Sequence, residues 1–212
     1  MARNLTTIMF LLATSVSNPD LARAGGSQLS AIQLDEAIQK VDLLLGQSLG
    51  KVEIAIKASN RLRVGDEVVF EAQSNLPGRL VILDVNAQRE VTLIYPNRFV
   101  PANDRGRVVA GQRVTVPGPG YAGFTGFRAV EPTGKGHLLA FVVPNDFDVE
   151  RFAAAPEIVT KGFQPVGIPQ SYLMRLIQQI EKALAANARL GGTAGETLQH
   201  WGFANAEYEI VP

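Results

Sequence analysis

Residues 78–99 constrain the fold more than any other part of the chain, because two runs of apolar and β-branched residues flank a short polar stretch. Side chains of this kind favour pleated, buried strands, and the polar residues 86–89 are typical of a turn. Pro96 disfavours helical conformation at Tyr95 and lacks the N–H group that a sheet ladder requires, so the second run ends there. The pattern therefore predicts a β-hairpin in the core of a sheet.

Further segments with strand patterns surround this hairpin. Apolar and polar residues alternate along residues 51–58 and again along residues 204–211, as in half-buried strands. The other predicted strands are residues 67–74, a second hairpin of residues 107–109 and 112–117 around Ala110 and Gly111, residues 124–130, and the nearly all-apolar residues 137–143. We therefore expect a mainly β fold, an antiparallel β-sandwich that is Ig-like in outline.

Two segments have the periodicity of amphipathic helices. Apolar residues recur at helical spacing in residues 27–45, which Gly46 terminates, and in residues 171–190, which are followed by two glycines. Residues 145–169 follow no sustained pattern. We expect the N-terminal and the C-terminal helix to pack on the β core, so that residues 25–212 form a single domain.

The first 24 residues have the three parts of a secretory signal peptide. Arg3 precedes an apolar stretch over residues 5–16, and Ala22-Arg23-Ala24 forms an A-x-A cleavage site before Gly25. The apolar stretch is too short to span a bilayer as a helix, and the chain contains no cysteine for a lipoprotein anchor. We expect cleavage after residue 24, no membrane span in the mature protein, and a periplasmic or secreted location.

Composition argues against several classes of function. The chain carries 20 basic and 20 acidic side chains, so it has no charge excess for binding nucleic acid. It has no cysteine and 2 histidines, which are too few ligands for a zinc site, and we expect no metal and no cofactor. The acidic loop 145–150 offers oxygen ligands, but their spacing matches no EF-hand, so the sequence leaves calcium binding open.

One motif points toward catalysis, but its context does not fit. Residues 46–50, GQSLG, match the nucleophile elbow of serine hydrolases, with Ser48 as the nucleophile and His137 or His200 as a base. That elbow needs a strand before the serine and a helix after it, whereas here a predicted helix precedes and a predicted strand follows. We therefore expect a protein that is not an enzyme.

Aromatic and polar residues near the glycine-rich segment 118–126 form a candidate recognition surface. Exposed aromatic rings on loops stack on sugars or grip peptides, although aromatic rings more often fill a core. The asparagine in this set also has an ordinary structural interpretation, as a turn residue whose side chain bonds the neighbouring backbone. The surface comprises Tyr95, Asn97, Arg98, Phe99, Tyr121, Phe124 and Phe127.

The order of these elements resembles a bacterial family, the domain of unknown function numbered 4384. The resemblance covers about residues 52–143 and lies in the glycine-led strand 78–86, the partner strand 91–97 with its Tyr-Pro-Asn exit, Ala110-Gly111, and the Pro132-x-Gly134 turn. Such domains occur in exported proteins and fused to caspase-like peptidase or protein-kinase domains. The resemblance implies an accessory or recognition role.

Three hypotheses follow. The leading one is an exported, non-enzymatic accessory domain that binds a protein partner in the bacterial cell envelope, with the terminal strand as an edge for β-augmentation. The alternative is a β-sandwich that binds a small molecule or glycan through the aromatic loop 121–127. The second alternative is a serine hydrolase at Ser48. The sequence leaves the oligomeric state open.

Overall fold

The computed structural model describes residues 19–46, 48–97, 99–100, 106–119, 121, 126–147, 149, 164–165 and 169–212. In this part of the chain there are three helices: α1 (Pro19–Leu45), α2 (Pro169–Arg189) and α3 (Ala194–Leu198). The strands in the same residues are β1 (Gly50–Ile56), β2 (Arg61–Arg63), β3 (Glu67–Val68), β4 (Phe70–Ser74), β5 (Gly78–Val85), β6 (Val91–Tyr95), β7 (Arg107–Val108), β8 (Arg113–Val116), β9 (Phe127–Arg128), β10 (Gly134–Val143), β11 (Gln164–Pro165) and β12 (Gly202–Val211).

Most of these strands form one curled mixed sheet, a half-barrel, rather than a sandwich. The strand order is β11-β6-β5-β10-β12-β1-β4-β8, with β7 added beside β5 and β2 beside β12. Strand β12 pairs in parallel with β1 and β2, and the other pairs are antiparallel. The predicted mainly β fold with helices is confirmed, but the predicted antiparallel Ig-like sandwich is wrong, since strand patterns show burial and not which strands pair.

The central hairpin and the all-apolar strand lie where the sequence predicts them. Strands β5 and β6 pair as a hairpin, and β10 lies between β5 and β12. Both faces of β5 and β10 are buried, because side chains that alternate along each strand enter two different cores. This double burial explains why both strands are almost continuously apolar.

One core fills the space between the sheet and the helices, and the other fills the inside of the curl. Leu83 and Phe141 belong to the first core, together with the buried face of α1 and α2. Ile82 and Leu138 belong to the second, together with residues of β4 and β8. The predicted packing of the N-terminal and C-terminal helices on the β core is therefore confirmed.

Both long helices end at or next to their predicted last residues. The first helix ends at Leu45 as predicted, although it begins at Pro19, before the predicted start at residue 27. The long C-terminal helix, Pro169–Arg189, agrees with the predicted 171–190. A salt bridge of 2.8 Å between Lys40 Nζ and Glu181 Oε1 joins α1 to α2. In the residues that the structure describes, no helix has the length and apolar character needed to cross a membrane.

Two predicted pairings are wrong. Strands β7 and β8 do not form a hairpin with each other, because β7 pairs with β5 and β8 pairs with β4. The last strand is also no edge for β-augmentation, because β12 lies between β10 on one side and β1 and β2 on the other. Residues 1–18 of the predicted signal peptide lie outside the described residues, as do Asp148 and Glu150 of the acidic loop 145–150. Residues 19–24 of that predicted peptide belong to α1.

Candidate functional site

A partly open cavity of about 220 Å³ lies at the end of the half-barrel where β1 and β5 finish. The β3–β9 ribbon contributes part of its wall. Most of the wall is apolar, and it includes Ile56, Leu62, Val68, Phe70, Ile94, Phe127 and Ile210. The rings of Phe70 and Phe127 meet edge to face with their centroids 5.2 Å apart, so part of the wall is aromatic.

The polar centre of this cavity is a pair of side chains, Asp84 from β5 and Tyr208 from β12. Tyr208 Oη donates a hydrogen bond to Asp84 Oδ1 at 2.7 Å. Among the residues that the structure describes, nothing else bonds this carboxyl, and none of their buried side-chain oxygen or nitrogen atoms lacks a partner. The second oxygen, Oδ2, therefore has no hydrogen-bond partner among these residues and is not fully buried.

The surroundings of this pair shift the pKa of both groups. Burial raises the pKa of Asp84 to about 6 from a usual 3.8, against the opposing effect of the hydrogen bond from Tyr208. Burial also raises the pKa of Tyr208 well above its usual range, and the neighbouring Asp84 charge raises it further. No described lysine or arginine forms an ion pair with Asp84, so its charge is uncompensated when it ionises.

The ring of Tyr208 occupies space that is free because residue 136 is a glycine. In the β10–β12 register Gly136 lies directly opposite Tyr208. A Cβ atom at residue 136 would overlap the phenol end of the Tyr208 ring, so the ring occupies space that only glycine leaves free. From this position the ring reaches Asp84 with its hydroxyl group.

The rim of the cavity combines an exposed apolar side chain with charged ones. Val130 is 63% exposed and lines the cavity beside Arg128 and Glu131. Arg128 Nη1 donates to the Gly65 carbonyl at 3.0 Å, which fixes its guanidinium group at the rim.

The structure brings three of the predicted recognition residues together. Asn97 Nδ2 donates to the Ile94 carbonyl at 2.7 Å and to Tyr121 Oη at 3.4 Å, while Asn97 Oδ1 accepts from the Phe99 amide at 3.0 Å. The rings of Phe99 and Tyr121 stack with their centroids 5.9 Å apart. Burial raises the pKa of Tyr121 to about 12. The interpretation of Asn97 as a turn residue bonded to the neighbouring backbone is confirmed.

The remaining predicted recognition residues lie apart from these three. Tyr95 is buried in the core inside the curl, and Phe127 is in the wall of the cavity. Arg98 and Phe124 lie outside the described residues. A recognition surface composed of all seven side chains stays a prediction.

The side-chain contacts of the described residues support neither the serine-hydrolase hypothesis nor a metal site. Ser48 Oγ donates to the Gly50 carbonyl at 3.2 Å, and strand β1 follows it, as predicted. His137 Nδ1 lies 3.2 Å from Asn205 Oδ1. Within the described ranges, no three histidine or acidic side chains come together as a metal site would require.

Sequence reasoning missed Asp84 and Tyr208 as a pair. One signal was present: Asp84 is the lone charged residue between Leu80 and Val85, in a run that is otherwise apolar. A carboxylate is costly to bury there, so this residue was a candidate for a functional position. Tyr208 gave no comparable signal, because its proximity to Asp84 depends on the placement of β12 beside β10.

The comparison with protein families identifies the central part of this fold. Residues 61–146 match the family described as "Domain of unknown function (DUF4384)". This segment is similar to that family. The match extends from β2 through β10, so it contains Asp84 but not Tyr208. No curated protein and no solved structure matches the chain.

Proposed function

We propose that the protein is an exported, non-enzymatic accessory domain that recognises a protein partner in the bacterial cell envelope, and that the partner binds over the cavity beside Asp84. The cavity carries this proposal. It combines a hydrogen-bond acceptor at its centre with apolar walls and an exposed apolar rim, which is the arrangement that binds an anchoring side chain at a protein interface.

The size of the cavity favours a protein side chain over a larger ligand. Pockets for drug-sized small molecules typically begin at about 300 Å³, whereas this cavity is about 220 Å³. A single side chain fits such a volume, while the rest of the partner would lie against the rim. A second exposed valine, Val64, lies close to Val130. Val64 is 45% exposed, and the amide of the neighbouring Gly65 donates to the Ala129 carbonyl.

Site-specific photo-crosslinking tests this contact surface. We expect a photoreactive amino acid at Val130 to give discrete adducts with an envelope protein in living cells, because this residue lies at the rim. The matched control is Val109, which is 66% exposed against 63% for Val130 but does not line the cavity. Equal adducts at both residues, or adducts at residue 109 alone, would reject the proposed surface.

Export is testable from the same cells. We expect the protein from the periplasmic fraction to begin near Gly25, because the A-x-A site ends at Ala24. Among residues 32–45 of α1, whose burial is described, the first buried core residue is Leu34. Removal of residues 1–24 should therefore leave the thermal unfolding midpoint unchanged. Intact-mass measurement of the fractionated protein checks the cleavage, and an uncleaved chain confined to the cytoplasm would contradict export.

The glycan-binding alternative has less support from the geometry. Tyr121 is stacked on Phe99 and bonded to Asn97, which leaves less of its ring free for a sugar. The non-enzymatic character is supported by Ser48, whose hydroxyl group bonds the backbone at the start of a strand.

A further inference from the structure

The cavity is asymmetric in its chemistry, with acceptors at its centre and apolar or aromatic walls. Asp84, Tyr208 and Thr92 all line the cavity, and each has a side-chain oxygen that can accept a hydrogen bond. Asp84 is the only one of the three that carries a charge. A ligand that completes this centre supplies several N–H donors and a positive charge.

We infer that the cavity binds the side chain of a lysine presented by the partner protein, with its ammonium group on Asp84 Oδ2 and its methylene chain along the apolar walls. This inference rests on the proposed function, because it names the chemistry of the anchoring side chain. A lysine carries both parts that the cavity complements, a long apolar stem and a compact charge with three donors.

The charges around the cavity are consistent with a cation. The ionisable groups that line it are Asp84, Tyr208, Arg128 and Glu131. Arg128 is held at the rim by the Gly65 carbonyl and forms no ion pair with Asp84 among the described residues. Phe70 and Phe127 add aromatic surface, which attracts an ammonium group through the negative faces of the rings.

Lysine fits this centre better than arginine does. Bidentate binding of a guanidinium group uses both oxygens of one carboxylate in one plane. Here Oδ1 already accepts the Tyr208 hydroxyl, so a guanidinium group would have to share that oxygen with the phenol. An ammonium group needs a single carboxylate oxygen and can direct its other hydrogens to the two hydroxyl groups.

NMR titration of the whole protein tests the inference with defined probes. The probe is N-acetyl-lysine-N-methylamide, and its matched control is N-acetyl-norleucine-N-methylamide, which has the same four-carbon chain without the ammonium group. We expect the lysine probe to shift the resonances of Thr92, Phe127 and Tyr208 saturably at neutral pH. The norleucine probe should bind at least tenfold more weakly.

The pH dependence provides a second measurement that needs no variant. Protonation removes the charge of Asp84, whose pKa is about 6, so affinity for the lysine probe should fall about tenfold between about pH 7.5 and about pH 5. The variant D84N should lose the same affinity at pH 7.5. The exposed Asp146 lies outside the cavity lining, so D146N serves as the matched control and should bind as the wild type does.

Three outcomes would overturn the inference. These are norleucine binding as tight as lysine binding, unchanged affinity in D84N, and saturable binding of n-butylammonium without binding of the lysine probe, which would indicate a site for free amines. Its failure is distinguishable from failure of the proposed function. Adducts at Val130 without lysine binding would reject the lysine alone, whereas lysine binding without specific adducts would reject the partner surface.

Discussion

Replacing Gly136 with alanine is expected to displace the Tyr208 ring and to lower the free energy of unfolding by about 1–3 kcal/mol. The new methyl group would overlap the phenol end of the ring, which is buried and bonded to Asp84. The ring must then move, and the carboxyl loses its donor. Chemical denaturation at neutral pH measures the stability change, and the Tyr208 ring resonances report the displacement.

The control for this substitution is Gly195→Ala in α3. A Cβ atom at Gly195 meets only the Thr193 hydroxyl oxygen, at 3.9 Å, so the change creates no overlap. Because alanine favours a helix over glycine, this variant should be as stable as the wild type or slightly more stable. If Gly136→Ala behaved like Gly195→Ala and kept the Tyr208 resonances unchanged, Gly136 would not position the ring.

Replacing Asp84 with asparagine is expected to stabilise the protein by about 2–3 kcal/mol above pH 6. The asparagine carbonyl can still accept the Tyr208 hydrogen bond, and the substitution removes a charge that is costly to bury. The gain should coincide with loss of lysine binding, which separates a binding role from a structural one. Denaturation midpoints measured from about pH 3 to about pH 8 check this prediction.

The sign of the pH dependence follows from the direction of the shift. The pKa of Asp84 is about 6 in the folded protein and about 3.8 when unfolded, so the folded state binds more protons between these values. The stability that protonated Asp84 contributes is therefore complete below about pH 4 and is lost as the pH rises through 6. In D84N this loss should be absent, while D146N should follow the wild-type profile. A wild-type profile without the loss would mean that Asp84 is not buried as described.

Local patterns were sufficient to predict much of the β core. The hairpin of β5 and β6, the buried strand β10 and the C-terminal ends of both long helices follow from residue periodicity and from stop signals such as Pro96 and Gly46. The pairing of strands that are distant in sequence could not be predicted from these local patterns. Strands β7 and β8 are too short for their sequences to specify a partner, and parallel pairing of β12 with β1 has no local signature.

The candidate site was harder to predict for the same reason. Asp84 was visible as a charge within an apolar strand, but its partner Tyr208 lies 124 residues away in sequence. Their contact depends on the register that places Tyr208 opposite Gly136. The aromatic residues near the glycine-rich loop gave a stronger composition signal, yet among those that the structure describes Tyr95 fills the core and only Phe127 reaches the cavity wall.

The position of β12 affects whether the matched segment could fold when it is fused to another protein. The segment that matches the family ends at residue 146, so the strand that covers the backbone of β10 and supplies the cavity phenol comes from beyond that boundary. Gene fusion that transferred the matched segment alone would leave a long sheet edge uncovered, which invites aggregation. Any host polypeptide that acquired this segment would have to contribute a replacement strand, and that strand would also determine which residue faces the carboxyl.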